Sequence, residues 1–223
     1  MKLAILGGTK IDTMMGCHLF ETQLSCQTSA FPVSHSPQEQ TRFQTSSLEV
    51  KQNTILNLLF QAKEEGCQAV VVYCNSLSAS LSFARLEKEV QLPIITPFAA
   101  YQKLKNRKIG ILAANAQGAA GIEKEIIQHN PNATVYSMTN LDWVEAVEAK
   151  KSPEWILHYT GLLASIDFFE QVDVECILIG CTHFPYFLSV YQANTTLLCI
   201  NPDDYLLEKI RTLSFKGEKG ERR

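Results

Sequence analysis

Seven cysteines occur in the chain, and two of them sit in a setting that could do chemistry. Cys74 ends the apolar run Ala69-Val70-Val71-Val72-Tyr73 and is followed by Asn75 and Ser76. Cys181 ends Cys176-Ile177-Leu178-Ile179-Gly180 and is followed by Thr182 and His183. A free thiol ionises near pH ~8.5, so modest tuning gives either a thiolate or a thiol at neutral pH. Amides, hydroxyls and backbone N–H groups at helix starts can hold a carboxylate. An imidazole beside a thiol can take or share its proton. One cysteine after an apolar strand is ordinarily a small buried residue. Two in parallel contexts, about half the chain apart and each followed by polar side chains, point instead to a shared chemical task.

These residues are positioned by a regular alternation of elements. Lys2-Leu3-Ala4-Ile5-Leu6 reads as a buried strand running into a turn at Gly7-Gly8. Residues 27–45, polar and carrying Pro32 and Pro37, read as an irregular loop. Ser46-Ser47 offers an N-cap, and Leu48, Ile55, Leu59 and Ala62 keep helical spacing up to Gly66. Residues 69–73 form a continuous apolar, β-branched run, as in a parallel strand covered on both faces. Helices are expected over 78–90, 98–105, 118–129, 140–151, 153–170 (opened by Pro153) and 203–213, with Pro185 opening one more. Strands are expected at 94–95, 108–112, 134–136, 176–179 and 197–200. The charged tail from Lys216 to Arg223 is expected to fray. Alternation over the whole chain means an α/β fold with mostly parallel sheets. In such sheets ligands gather beyond the carboxyl ends of the strands. Gly7-Gly8-Thr9, Cys74, Asn115 and Cys181 all stand at such ends.

Composition narrows the function classes. The chain has 223 residues, 46% apolar and 19% charged, which is ordinary for a soluble globular protein. A net charge of −3 argues against a nucleic-acid or anionic-membrane partner. The apolar start is too short for a signal peptide and no run spans a bilayer, so the expected location is cytoplasmic with reduced thiols. Gly7-Gly8-Thr9-Lys10 is not a phosphate loop, no dinucleotide glycine fingerprint follows a strand, and no nucleophile elbow is present. The Cys-Thr-His spacing of 181–183 does not suit zinc, so no metal is expected.

Val72-Tyr73-Cys74-Asn75-Ser76 resembles the first cysteine motif of the aspartate/glutamate racemase family, usually Cys-Asn-Thr-Ala. Gly180-Cys181-Thr182-His183-Phe184-Pro185 resembles the second, Gly-Cys-Thr-His-Tyr-Pro. Ile5-Leu6-Gly7-Gly8-Thr9 is similar to the family's opening strand, and Ile109-Gly110-Ile111-Leu112-Ala113 to its central strand. The short length resembles aspartate racemases more than glutamate racemases. The resemblance implies two pseudo-symmetric α/β halves, residues 1–96 with 203–223 and residues 97–202, with the active site between them. It implies an enzyme that needs no pyridoxal phosphate or other cofactor and acts on a small amino-acid or dicarboxylate substrate, aspartate first. A homodimer is the assembly it implies. Cys74 and Cys181 would be the acid/base pair and His183 the helper of Cys181. Gly8, Thr9, Arg42, Asn75, Ser76, Asn115 and Thr182 would line the substrate.

Three departures bear on this. Ser76 replaces Thr and keeps a hydroxyl. Leu77 replaces a small residue. Gly8-Thr9-Lys10 stands where glutamate racemases carry Asp-Ser-Gly, which argues against glutamate racemase proper. Arg42 and Lys10 are the candidate cations for a distal carboxylate. Two alternatives stay open: a same-fold isomerase or decarboxylase using one cysteine as nucleophile, and a non-catalytic carboxylate-binding protein.

Overall fold

A computed structural model describes residues 1–220, with side chains through residue 213. The chain divides into two compact units, Met1–Ala100 with the segment from Pro202, and Tyr101–Asn201.

The first unit holds strands β1 (Lys2–Gly7), β2 (Gln27–Pro32), β3 (Ala69–Tyr73) and β4 (Ile94–Ile95), all parallel, in the order β2-β1-β3-β4. Its helices are α1 (Lys10–Leu24), α2 (Pro37–Thr45), α3 (Leu48–Glu64), α4 (Asn75–Ser80), α5 (Phe83–Val90), α6 (Phe98–Tyr101, its last residue counted in the second unit) and α12 (Asp203–Gly220). Strand alternation sorts the core into two layers. Ala4, Leu6, Val70, Val72 and Cys74 face Ile55 and Leu59 of α3 and Phe83, Leu86 and Val90 of α5. Leu3, Ile5, Ala69, Val71 and Tyr73 face Cys17 and Phe20 of α1 and Leu206, Leu207 and Ile210 of α12. Both sheet faces are therefore dry, which explains why β1 and β3 read as unbroken apolar runs. Gly16 lets α1 lie close, because a Cβ there would come within 2.8 Å of both Ile5 and Tyr73.

The second unit repeats the plan with β5 (Lys108–Ala113), β6 (Thr134–Thr139), β7 (Cys176–Ile179) and β8 (Leu198–Ile200), parallel and in the order β6-β5-β7-β8. Helices α7 (Ala116–His129), α8 (Leu141–Glu148), α9 (Pro153–Tyr159), α10 (Leu162–Gln171) and α11 (Leu188–Ala193) belong to it. Trp143, Tyr101, Tyr191, Phe169, Phe184 and Phe187 are its largest fully buried side chains, and Tyr191 Oη shares a hydrogen bond with Ser165 Oγ at 2.9 Å. The α/β class with mostly parallel sheets is thus observed in both units.

Several local expectations change. Residues 27–45 are not an irregular loop. They form edge strand β2 and helix α2, the latter capped by Ser36 accepting from Glu39 N with Pro37 in its first turn. An edge position lets a strand stay half polar and end in proline. The 78–90 helix is two helices, α4 and α5, parted by extended Leu81. The 153–170 helix is likewise split, by Gly161 at φ 74°. The helix at 98–105 shrinks to the single turn of α6, and α1 lies where the pattern gave no element. Pro185 opens a 3-10 turn, Phe184–Tyr186, ahead of α11. Helix α12 runs on to Gly220; the fraying expected over 216–223 falls on side chains and residues outside those described.

Strand ends converge because every strand of a sheet points the same way. Gly7 pairs with Tyr73, which brings Gly8 beside Cys74; Leu112 pairs with Ile179, which brings Gly180 beside the end of β5. Gly180 N donates to Leu112 O at 2.7 Å, and a Cβ on Gly180 would lie 2.7 Å from that same oxygen and 2.8 Å from Ile122 Cδ1. Backbone cannot yield as a flexible side chain can. Gly180→Ala should therefore cost about 1–3 kcal/mol of stability, read as a lower urea midpoint at unchanged slope; an unchanged midpoint would contradict the packing described.

Candidate active site

On the first unit, Cys74 follows β3 directly and is 6% exposed. Three elements meet at its sulfur. Gly8, at the end of β1, lies so close that a Cβ would be 3.0 Å from Cys74 Sγ. Helix α2 supplies Gln40, whose Nε2 approaches the sulfur at 3.9 Å. The start of α4 supplies Ser76, with Oγ 3.4 Å from the sulfur. Both neighbours are held in turn. Ser34 Oγ donates to Gln40 Oε1 at 3.0 Å, and Gln44 Nε2 donates to Ser76 Oγ at 2.5 Å. Gln40 and Gln44 are one helical turn apart, so both fall on the same buried face of α2.

On the second unit, Cys181 follows β7 and Gly180 and is 9% exposed. Its sulfur lies 3.7 Å from His183 Nδ1. His183 Nε2 lies 2.9 Å from Glu148 Oε1, at the last turn of α8. An ionised carboxylate only accepts, so Nε2 carries a proton, and in the neutral ring Nδ1 presents a lone pair to the thiol. Such a thiol–imidazole–carboxylate line fixes the tautomer and orients the ring. Phe184, fully buried, packs edge-on against Trp143 at 5.7 Å between centroids and anchors the loop that carries His183. Thr182 is buried beside it.

The structure gathers some of the expected side chains and separates others. Gly8, Cys74, Asn75 and Ser76 come together in the first unit; Cys181, Thr182 and His183 do so in the second. Thr9 caps α1 in a reciprocal box with Asp12, and Gly8 N and Thr9 N both donate to the Asp12 carboxylate, at 3.2 and 2.7 Å. Those two amides are thus turned to Asp12. Asn115 caps α7, accepting from Gly118 N at 2.9 Å. Arg42 is exposed on α2, two residues from both Gln40 and Gln44 and so away from their face. Lys10 is exposed at the first residue of α1. Leu77 is fully buried in the apolar layer beneath Cys74.

Sequence reading missed Ser34, Gln40, Gln44, Asp12 and Glu148. Two signals were present: the Thr9-x-x-Asp12 spacing of a capping box, and Ser36-Pro37 opening a helix with glutamines at i and i+4. Nothing local marks Glu148. Among the described residues no three His, Cys, Asp or Glu side chains gather as a metal-binding group, and no helix is long and apolar enough to cross a membrane.

Comparison with known proteins gives a consistent result. Residues 21–210 match the family described as Asp/Glu/hydantoin racemase. A glutamate racemase from a Picosynechococcus species is 27% identical over 158 residues, 69% of this chain and 56% of that protein. The chain spans about half the length of the curated relatives it matches. Among solved structures, glutamate racemase from Francisella tularensis in complex with D-glutamate superimposes with a TM-score of 0.73 at 17% identity, covering 97% of this chain and 82% of that one. An aspartate racemase homologue from Pyrococcus horikoshii gives 0.63 at 15% identity, covering 95% and 98%. At such identities the two structures speak for the fold.

None of the seven cysteines is in a disulfide, and five lie outside the two clusters. Burial pushes the thiols of Cys17, Cys26 and Cys67 up, and those of Cys176 and Cys199 up to about 11. These five stay protonated at neutral pH. Cys199 is half-buried and tests the point most directly. At pH 8 it should hold about 200-fold less thiolate than an ordinary cysteine. Its alkylation by iodoacetamide, followed by peptide mass spectrometry, should rise about tenfold per pH unit from 8 to 10. Labelling at pH 8 as fast as free cysteine would contradict it.

Proposed function

We propose, from the premise that the chain belongs to the Asp/Glu/hydantoin racemase family, that it racemises a small acidic amino acid with Cys74 and Cys181 as its two acid/base groups. The observation that carries this reading is the repetition. In each unit, with the same strand order, the third strand runs into a cysteine that has its own polar partners, an amide and a hydroxyl at Cys74 and an imidazole at Cys181. One thiolate takes the α-proton from one face of the substrate; the other group, as a thiol, returns a proton to the opposite face. A single base handing back its own proton would restore the starting enantiomer. When Cys181 is the base, its proton has first passed to His183 Nδ1, and Glu148 stabilises the imidazolium that results. The carbanion is the demanding intermediate, with charge delocalised into the α-carboxylate. Asn75 and Thr182, both buried donors, are assigned to that carboxylate. Asn115 is assigned a supporting place at the end of β5.

Aspartate is the substrate we favour over glutamate. The Gly8-Thr9-Lys10 turn supports this, since its two amides face Asp12 and its only charged side chain is a cation. Lys10, that cation, is assigned to the distal carboxylate; Arg42 faces away from the Cys74 cluster.

In deuterated water the protein should exchange the α-hydrogen of either enantiomer of aspartate, followed by NMR. Cys74→Ala and Cys181→Ala should each lower racemisation about 100- to 10,000-fold. Glu148→Gln should lower it less, about tenfold. Exchange with no acidic amino acid, or full racemisation in Cys74→Ala, would sink the reading. The two substrates differ by one methylene, so kcat/KM for aspartate should exceed that for glutamate by about 10- to 200-fold, and Lys10→Met should raise KM. A ratio favouring glutamate would overturn the substrate choice alone.

A further inference from the structure

We propose that Gln40, aligned by Ser34, is a positioning residue that holds Cys74 as the thiolate, with Ser76, aligned by Gln44, as the second donor to the sulfur. The proposal rests on the acid/base reading of Cys74 but stands on contacts that reading does not need. An amide has one accepting end and one donating end. Ser34 Oγ donates to Gln40 Oε1 at 3.0 Å, and this fixes which end of the Gln40 amide is turned to the sulfur. The donating Nε2 is left 3.9 Å from Cys74 Sγ. Ser34 cannot drift, because its N–H donates to Gly8 O at 3.0 Å. Ser76 is arranged by the same logic. Gln44 Nε2 donates to Ser76 Oγ and holds it 3.4 Å from the sulfur; a thiolate can only accept, so with Cys74 ionised the hydroxyl's own proton is the one directed at it.

Hydrogen bonds donated to a charged group favour the charged form. Here they arrive in a buried place, with Gln40 6% and Gln44 5% exposed, where a bare thiolate would be costly. The five cysteines outside the clusters show the opposite outcome: burial dominates there and the thiol is kept. Other titratable groups near this edge are engaged elsewhere or face outward. The Asp12 carboxylate is turned to Gly8 N and Thr9 N. Glu39 accepts from His35 N at 2.9 Å, and Lys10, Arg42 and His35 are exposed. Lys51 of α3 donates to Gln44 O at 3.1 Å, which steadies α2. Tyr73 points to the opposite sheet face, where its hydroxyl donates to Asp203 at 3.0 Å. The donors to the sulfur on α2 and α4 are therefore neutral.

The test reads Cys74 directly. The rate of its alkylation by iodoacetamide is followed from pH 5 to 10 by peptide mass spectrometry, with Cys181 in the same sample as control. Gln40→Met keeps the length of the side chain and removes the donor. It should move the Cys74 midpoint up by about one pH unit and leave the Cys181 midpoint in place. Ser34→Ala should move the Cys74 midpoint in the same direction by less, and Gln40→Glu should move it further than Gln40→Met. Circular dichroism confirms that each variant is folded. The acidic limb of the kcat/KM profile for racemisation should shift with the Cys74 midpoint. A Cys74 midpoint unchanged in both Gln40→Met and Ser34→Ala overturns the proposal, as does an equal shift at Cys181. If the midpoint moves as expected while no amino acid is racemised, the holding of the thiolate stands and the racemase reading falls.

Discussion

A missing methyl group at Gly8 governs how the first unit can present its cysteine. A Cβ there would stand 3.0 Å from Cys74 Sγ and 3.1 Å from the Gln40 amide carbon. Without it, the end of β1, the end of β3 and the buried face of α2 can share one small volume. The parallel register makes the approach unavoidable, since Gly7 is paired with Tyr73 and the following residues must lie side by side. Everything that prepares Cys74 depends on that close packing. Ser34 hangs from the Gly8 carbonyl, Gln40 hangs from Ser34, and the sulfur sits at the end of the line.

The two units solve a similar problem with different chemistry. At Cys181 the neighbour is an imidazole backed by a carboxylate, a pair that can accept a proton and carry charge. At Cys74 the neighbours are an amide and a hydroxyl, which can stabilise a charge but not take it away. The same strand order thus carries two cysteines with unlike surroundings. The racemisation we propose does not need symmetric machinery; it needs each thiol to be available in the form the other is not.

Much of this was legible in the sequence, and the gaps have physical causes. Strands covered on both faces announce themselves as apolar runs, so β1, β3, β5 and β7 could be placed, and with them Cys74 and Cys181. Edge strand β2 could not, because an edge need not be apolar. Helix α2 was hidden although it opens on Ser36-Pro37, the same signal that Ser152-Pro153 gives for α9. Two prolines in a polar stretch suggested a loop, and without the helix Gln40 and Gln44 had no common face. Glu148 had no local sign at all. It lies 35 residues from His183, and a glutamate in the last turn of a helix ordinarily points to water. Arg42 shows the converse: a charge that suits the chemistry on paper lies on the solvent side of its helix.

The route of the chain through the first unit has a consequence for how the protein is made. Leu206, Leu207 and Ile210 complete the layer under β1 and β3, and Asp203 accepts from the buried Tyr73 hydroxyl across 130 residues of sequence. The second unit, by contrast, is one continuous stretch, 101–201. During synthesis the ribosome delivers all of that stretch before it delivers α12. The half encoded in the middle can close first, while the half that begins the chain waits, sheet face uncovered, for its last helix. The apolar layer on the Cys74 side cannot be completed until α12 has been made, whereas the Cys181 side needs no later segment of the chain.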